Sequence, residues 1–150
     1  MSFVVDSSLA LTWCFEDEAT QAADALLVRL TNDGAHAPSL WPLEVLNVLV
    51  TAQRRGRLTA AARQERIALL HALPIILDTE TGEQAWTITN LLAERHSLTL
   101  YDAAYLELAQ RLNLPLATLD TELRTAANAL GVPLLGSPTD RGDLPAGRKM

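Results

Sequence analysis

Three aspartates stand where apolar segments end or where a helix is predicted to begin. Asp6 follows the run 3–5, Asp120 follows the run 115–119, and Asp102 lies in the first turn of a predicted helix. The carboxyl ends of parallel strands meet at one edge of a sheet, and ligands bind beyond that edge. The three carboxylates are therefore predicted to lie close together.

A fourth acid, Glu44, lies inside an apolar segment rather than at its end. It stands between Leu43 and Val45 in a predicted helix over 40–55, which is apolar on most sides and is expected to be buried. An unpaired carboxylate there would be expensive. Glu44 therefore either pairs with a buried arginine or joins the other three acids.

Four carboxylates at one edge favour chemistry with a divalent cation. At about 5 Å and an effective dielectric of about 20, each pair of like charges costs about 3 kcal/mol, so the cluster would take up protons or a cation. Oxygen ligands with several waters suit Mg²⁺ or Mn²⁺, whereas His36, His71 and His96 are too scattered to suggest zinc or iron. Mg²⁺ held by carboxylates typically activates water for phosphodiester hydrolysis.

Each acid taken alone also has a purely structural interpretation. Asp6 and Asp120 could cap the helices that follow them, and Asp102 could interact with the dipole of its own helix. Glu122 is a further candidate near Asp120, but its interpretation as an ordinary first-turn helix acid is favoured. A small domain has no structural need to direct four acids to one edge, so the combination favours a functional site.

The elements that must position these acids follow from alternating apolar runs and amphipathic segments. The predicted strands are 3–5, 35–37, 75–77, 115–119 and 132–135. The predicted helices are 9–15, 18–32, 40–55, 60–73, 82–96, 101–112 and 121–130. Because such alternation needs right-handed crossovers, it predicts a three-layer α/β/α sandwich with a central parallel sheet of four to five short strands. One domain is expected over 1–136, followed by a flexible tail over 137–150.

Bulk composition excludes several classes of protein. The 150 residues are 49% hydrophobic, which is typical of a globular rather than a disordered chain, and Trp13, Trp41 and Trp86 are expected to anchor its core. The single cysteine, Cys14, excludes an internal disulfide and a cysteine-rich zinc site. With no apolar stretch long enough to span a membrane and no evident signal segment, a cytoplasmic protein without membrane contact is expected.

Other phosphate-handling α/β families lack their required residues here. The sequence has no glycine-rich phosphate loop and no Gly-x-Ser-x-Gly elbow. Asp6 is followed by two serines, which is not the Asp-x-Asp of haloacid-dehalogenase-like phosphatases. A receiver module uses a lysine late in its sheet, whereas the single lysine of this chain is Lys149.

Four short segments in a particular order form the most specific signal in the chain. They are Val-Val-Asp-Ser-Ser at 4–8, Leu-Glu-Val-Leu-Asn-Val-Leu at 43–49, Leu-Thr-Leu-Tyr-Asp-Ala-Ala-Tyr at 98–105 and Pro-Leu-Ala-Thr-Leu-Asp at 115–120. With this order and spacing the chain resembles the PIN-domain family over about 1–135, and its VapC-type branch in particular. The stretch 101–105 is the most telling.

The resemblance implies a metal-dependent ribonuclease whose acidic residues are Asp6, Glu44, Asp102 and Asp120. Asp6 and Asp102 would bind Mg²⁺ or Mn²⁺ directly, and the other two acids would bind it through water. The residues that would orient the acids or their waters are Ser8, Asn47 and Thr118.

The resemblance also implies partners. They are an RNA substrate, a second copy of the chain in a homodimer, and a cognate antitoxin that suppresses the toxin of a type II toxin-antitoxin pair. The net charge of -6 is unfavourable for RNA, so contacts would fall to the arginines between residues 54 and 66. The alternative is a non-catalytic PIN-like module that binds RNA or protein. The presence of all four acids favours the enzyme.

Overall fold

The computed structural model describes residues 1–137, where five short strands form one parallel sheet. The strands are β1 (Val4–Val5), β2 (Ala35–Pro38), β3 (Ile75–Asp78), β4 (Leu116–Ala117) and β5 (Leu134–Leu135). Their order across the sheet is β3-β2-β1-β4-β5, and every neighbouring pair is parallel. The predicted α/β class and parallel sheet are confirmed. The predicted tail lies outside the described residues from 138 onward, and the domain limit at 136 stays a prediction.

Helices connect the strands and cover the sheet. They are α1 (Ser7–Thr12), α2 (Gln21–Asp33), α3 (Trp41–Arg54), α4 (Ala60–Ala72), α5 (Thr81–Gln84), α6 (Asn90–His96), α7 (Leu100–Leu112) and α8 (Thr121–Ala129). A short 3₁₀ turn at Glu16–Glu18 precedes α2. The helix predicted over 82–96 is divided instead, because a π-helical turn at Ala85–Thr89 separates α5 from α6. Apolar periodicity alone does not reveal such a break.

Threonine caps explain where three of the helices begin. The side chains of Thr20, Thr59 and Thr99 each accept a hydrogen bond from the backbone N–H three residues further on. A cap of this kind is worth about 1 kcal/mol because it satisfies a donor that the helix itself leaves unpaired. Thr20 therefore starts α2 later than the predicted residue 18.

Strand β1 lies in the middle of the sheet, and α7 packs across the centre of the core. Val4 and Val5 are completely buried, and every residue from Ala103 to Ala109 of α7 is buried as well. Helix α7 contacts β1, β2 and β4. The first acid and the helix that carries Asp102 are thus held by the buried centre of the fold.

Helix α3 is not buried as predicted. One face, formed by Trp41, Val45, Leu49 and Ala52, packs on the core, and Val45 is only 1% exposed. The opposite face meets solvent, and Leu43 is 75% exposed. The apolar composition gave no indication of this outward face because only the packing partners decide which side of a helix is covered. The prediction that Trp86 anchors the core is also wrong, since this residue of the π turn is 83% exposed.

Within residues 1–137, none of the helices combines the length and the apolar character required to cross a membrane.

Candidate active site

Asp6 joins the central strand to the first helix and is almost completely buried, with 3% exposure. Its carboxylate caps α1 by accepting from the Leu9 N–H at 2.9 Å, and it also accepts from the hydroxyls of Ser8, at 2.7 Å, and Thr118. Burial raises the pKa of Asp6 to about 6 against the lowering effect of these hydrogen bonds, and the charge of Asp102 raises it further. Asp6 therefore caps α1 and is also a buried acid whose pKa is raised by the charge of Asp102.

Two hydroxyls predicted to orient the acids lie against Asp6 and connect it to β4. The Ser8 hydroxyl oxygen accepts from the Leu119 N–H at 3.0 Å, and the Thr118 hydroxyl oxygen accepts from the Asp120 N–H at 3.0 Å. Because Thr118 also donates to Asp6, one side chain contacts the first acid and the backbone of the last. The end of β1 and the end of β4 are therefore fastened together at the predicted edge.

Asp120 begins α8 in the way that Asp6 begins α1. Its carboxylate accepts from the Leu123 N–H at 2.9 Å. The Asp120 side chain is half-buried and lies at the end of the loop after β4. Arg124, one turn further, donates to the Thr118 carbonyl at 2.6 Å. The acid and the strand end that precedes it are thus held by the same helix.

Asp102 lies close enough to other acids for their charges to act on it. Thr99 caps α7 and accepts from the Asp102 N–H at 3.1 Å, which fixes the first turn. Partial burial raises the pKa of Asp102, and the charges of Asp120 and Glu44 raise it further. Glu122, which the sequence left as a less favoured candidate beside Asp120, raises the pKa of Asp102 as well.

Glu44 reaches the cluster from the boundary between the buried and exposed faces of α3. It is half-buried, and its Oε1 accepts from the Tyr105 hydroxyl at 2.6 Å. Tyr105 is a fully buried residue of α7, and burial together with the Glu44 charge raises its pKa, so it remains a hydrogen-bond donor. The sequence left two explanations for Glu44, a buried arginine partner or a place among the other acids. Within the described residues Glu44 has no arginine partner, which leaves the second explanation.

Tyr105 is the residue of this site that the sequence reasoning missed. It closes the motif at 101–105 but received no role there. Its spacing of three residues from Asp102 was the available signal, because residues three apart share a helix face. The Asp6 charge and the Ser7 hydroxyl also act on Tyr105, so it stands between α1, α3 and the acids.

The donor set fits a hard cation with several water ligands. No ion pair within residues 1–137 joins any of the four acids to a basic side chain, so their mutual repulsion is uncompensated by the protein there. In the same range, no three His, Cys, Asp or Glu side chains are grouped to hold an ion. A cage of protein ligands is therefore not preformed, but Mg²⁺ typically takes one or two carboxylates and completes its shell with water.

Asn47 is not hydrogen-bonded to the acids within the described part of the chain. It is exposed on α3, one turn beyond Glu44, and within residues 1–137 it has no hydrogen bond to any of the four carboxylates. It instead lines a surface groove with residues nearer the end of the helix. Its predicted orienting role stays a prediction.

Three of the arginines between residues 54 and 66 are engaged within the protein. Arg57 pairs with Asp17 and Glu18, the Arg63 Nε donates to the Gln53 side chain, and the Arg66 Nε donates to the Cys14 carbonyl at 2.8 Å. Arg54 and Arg55 are exposed and have no ion pair within residues 1–137. Of the two, Arg55 lines the groove that contains Asn47 and Arg54 does not, so the set of basic side chains expected to contact RNA on this side is smaller than the sequence suggested.

Comparison with known proteins gives consistent results. The PIN domain model matches residues 3–129. Ribonuclease VapC3 of Mycobacterium tuberculosis is 36% identical over 114 residues, which cover 71% of this chain and 77% of the relative. Ribonuclease VapC1 of the same organism is 34% identical over 111 residues, which cover 72% and 80%.

Solved structures share the fold at lower identity. VapC20 of Mycobacterium tuberculosis, described as a sarcin-ricin loop cleaving toxin, has a TM-score of 0.57 and 16% identity over 84% of this chain and 95% of that one. VapBC2 of Rickettsia felis, solved with a DNA fragment from its promoter, has a TM-score of 0.59 and 14% identity over 91% and 99%.

Proposed function

Because this chain belongs to the PIN-domain family and, within it, to the VapC ribonucleases, we propose that it is a Mg²⁺- or Mn²⁺-dependent endoribonuclease. The observation that carries the metal-dependent part is electrostatic. The Asp102 charge raises the pKa of Asp6, the Asp120 and Glu44 charges raise the pKa of Asp102, and none of the four acids has a basic partner among residues 1–137. Like charges held together in this way favour a divalent cation over an empty site.

The residues of the site divide into those that would hold the cation and those that hold the acids. Asp6 and Asp102 are the direct ligands in this proposal, and Glu44 and Asp120 act through water. A bound Mg²⁺ or Mn²⁺ would supply an activated water and would neutralise charge on the phosphodiester.

The protein's own hydrogen bonds fix the acids before any substrate arrives. Ser8 and Thr118 hold the Asp6 carboxylate, Tyr105 holds one oxygen of Glu44, and the Leu123 N–H holds one oxygen of Asp120. Such preorganisation keeps the carboxylates in place without a cost at the moment of reaction. A cation and a phosphate would therefore meet acids that are already oriented.

The proposed biological role is that of a toxin regulated by a protein partner. The Rickettsia felis neighbour is a VapBC assembly, which supports a cognate antitoxin for this chain as well. The names of the Mycobacterium tuberculosis relatives support RNA as the substrate. A homodimer and a cytoplasmic location belong to the same proposal.

The decisive experiment measures RNA cleavage by the purified chain, free of any partner, with Mg²⁺, with Mn²⁺ and with EDTA. The test variant is Asp102→Asn, and the matched control is Asp24→Asn, an exposed acid in the first turn of α2. We expect metal-dependent cleavage that falls about a hundredfold or more in Asp102→Asn and is unchanged in Asp24→Asn. Calorimetric titration with Mn²⁺ should show weaker binding only in Asp102→Asn.

A second candidate function is the non-catalytic module. If the folded chain binds Mn²⁺ and RNA but leaves RNA intact at every metal concentration, the binding module replaces the ribonuclease. If Asp102→Asn cleaves as fast as the wild-type protein, the four acids are not the active site.

A further inference from the structure

Polar side chains continue from the acid cluster along a single face of α3. Glu44 is followed at intervals of three, four and four residues by Asn47, Thr51 and Arg55. At about 100° per residue these four positions lie within about 80° of one another, and the line from Glu44 to Arg55 is about 16 Å long. The helix therefore carries a polar track that starts at the proposed active site and ends at a guanidinium.

The far part of this track forms a groove. A surface depression of about 330 Å³ is lined by Asn47, Val48, Thr51, Ala52, Arg55 and Arg57. The Arg57 guanidinium lies 3.8 Å from the centre of the Phe15 ring and pairs with Asp17 and Glu18. One side of the groove is therefore held in place by contacts that do not involve α3.

Arg55 is the residue of this groove with charge to offer a ligand. It is exposed, and within residues 1–137 it makes no ion pair, side-chain hydrogen bond or ring contact. The charge of Arg57 is already balanced by Asp17 and Glu18, and Asn47 and Thr51 add neutral hydrogen-bonding groups. An exposed guanidinium with neutral donors beside it suits a phosphate, since arginine binds phosphate oxygens through several N–H groups at once.

We propose that the groove binds the backbone of a single-stranded RNA a few nucleotides from the scissile bond, with Arg55 on a phosphate and Asn47 and Thr51 beside it. This inference rests on the proposed ribonuclease function. It also gives Asn47 a different task from the one expected from the sequence: it contacts the substrate rather than orienting an acid. A chain with a net charge of -6 needs such a local contact, because its overall charge repels RNA.

The test compares Arg55→Ala with Arg54→Ala. Arg54 is the neighbouring residue, equally charged and exposed, but it lies about 100° around the helix and does not line the groove. Cleavage is measured on an RNA oligonucleotide long enough to reach Arg55 and on a dinucleotide that contains the scissile bond alone. Binding to the oligonucleotide is measured over a range of salt concentrations in the Asp102→Asn background with EDTA present, where cleavage of the RNA is not expected during the measurement.

For Arg55→Ala we expect a KM about tenfold higher on the oligonucleotide with an unchanged kcat, because a contact remote from the reacting atoms strengthens ground state and transition state alike. On the dinucleotide Arg55→Ala should match the wild-type protein. The salt dependence of binding should lose about 0.7 from its logarithmic slope, as expected for one phosphate contact to a single strand. Arg54→Ala should behave as wild type in all three measurements.

The outcomes separate this inference from the proposed function. A wild-type protein that cleaves neither substrate contradicts the ribonuclease itself. Cleavage of the oligonucleotide by Arg55→Ala with wild-type KM, or equal losses in Arg54→Ala and Arg55→Ala, overturns the groove while the ribonuclease stands. An Arg55→Ala change that weakens binding of a protein partner but leaves RNA binding intact also overturns it. Thermal unfolding of each variant, with Arg55→Lys as a charge-preserving second variant, shows that a changed KM is not a folding defect.

Discussion

This molecule contains two groups of carboxylates, and they differ in whether a basic side chain pairs with them. In the first group Arg111 of α7 joins Glu107 at 2.8 Å, Asp78 at 2.7 Å and Glu80 at 3.3 Å. Only 5% of the Glu107 side chain and 11% of the Asp78 side chain are exposed. The second group is the acid cluster, which has no basic partner within residues 1–137.

The electrostatic consequences are opposite. Partial burial pushes the pKa of Asp78 up, but hydrogen bonds from Arg111 and Thr81 outweigh it and hold the pKa below the ordinary aspartate value. Burial and neighbouring acids raise the pKa values of Asp6 and Asp102 instead. The first group is stabilised as anions by the protein, whereas the second group lacks that stabilisation.

Position at a strand end therefore does not by itself make a functional acid. Asp78 ends β3 just as Asp6 follows β1, so the rule that selected Asp6 from the sequence applies equally to Asp78. Arg111, which lies 33 residues away in the chain, satisfies Asp78. An acid at the sheet edge becomes a candidate for a metal site when the fold leaves it without such a partner.

The largest effect is expected from breaking the first group. Arg111→Met leaves the buried Glu107 and the partly buried Asp78 without their cation, and the free energy of unfolding should fall by about 3 kcal/mol. Denaturant unfolding of the purified variant measures this. The control is Arg95→Met, which removes an exposed arginine with no ion pair within residues 1–137 and should change stability by less than about 0.5 kcal/mol. Equal stabilities of the two variants would contradict the structural role of the Arg111 group.

Removing a charge from the second group, by the substitution Asp6→Asn, is expected to stabilise the protein instead. The pKa of Asp6 is raised from 3.8 to about 6, so the native state takes up a proton more readily than the unfolded state. The stability contributed by the protonated carboxyl is complete below about pH 4 and is lost as the pH rises through about 6. At pH 7 without divalent cations, Asp6→Asn should therefore be more stable than the wild-type protein by about 2 kcal/mol, because a neutral amide avoids the cost of a buried charge.

Unfolding curves measured between pH 3.5 and pH 7.5 test the sign of this effect. The advantage of Asp6→Asn should shrink as the pH falls and disappear at the acid end, whereas Asp24→Asn should show no comparable trend. An Asp6→Asn protein that is less stable than the wild type at pH 7 would mean that capping α1 outweighs the charge, and Asp6 would then resemble Asp78.

The smallest effect is expected at the contact that orients Glu44. Tyr105→Phe removes the hydroxyl that donates to Glu44 at 2.6 Å but keeps the buried ring. The affinity for Mn²⁺ should fall about tenfold, since a group that orients a metal-binding carboxylate typically contributes that much. Calorimetric titration measures the affinity, and Tyr101→Phe, at an exposed tyrosine of the same helix, is the matched control. An unchanged affinity would make Tyr105 a packing residue only.

Much of the fold was predictable because it depends on short-range patterns. Alternating apolar runs and amphipathic segments predicted each of the five strands. The four acids and the hydroxyls of Ser8 and Thr118 followed from motif order, and the structure brings the hydroxyls and Asp6 into contact. These features involve residues close in sequence or strand ends that a parallel sheet must align.

What the sequence by itself determined is the alternation of strands and helices, the edge at which Asp6, Asp102 and Asp120 meet, and the family. Only the tertiary structure decided that α3 exposes one apolar face, that Trp86 lies outside the core, and that Tyr105 rather than an arginine holds Glu44. It also decided that Arg111 satisfies Asp78. The physical reason is the same in each case: burial and pairing depend on contacts between residues far apart in the chain, and periodicity along one segment does not specify them.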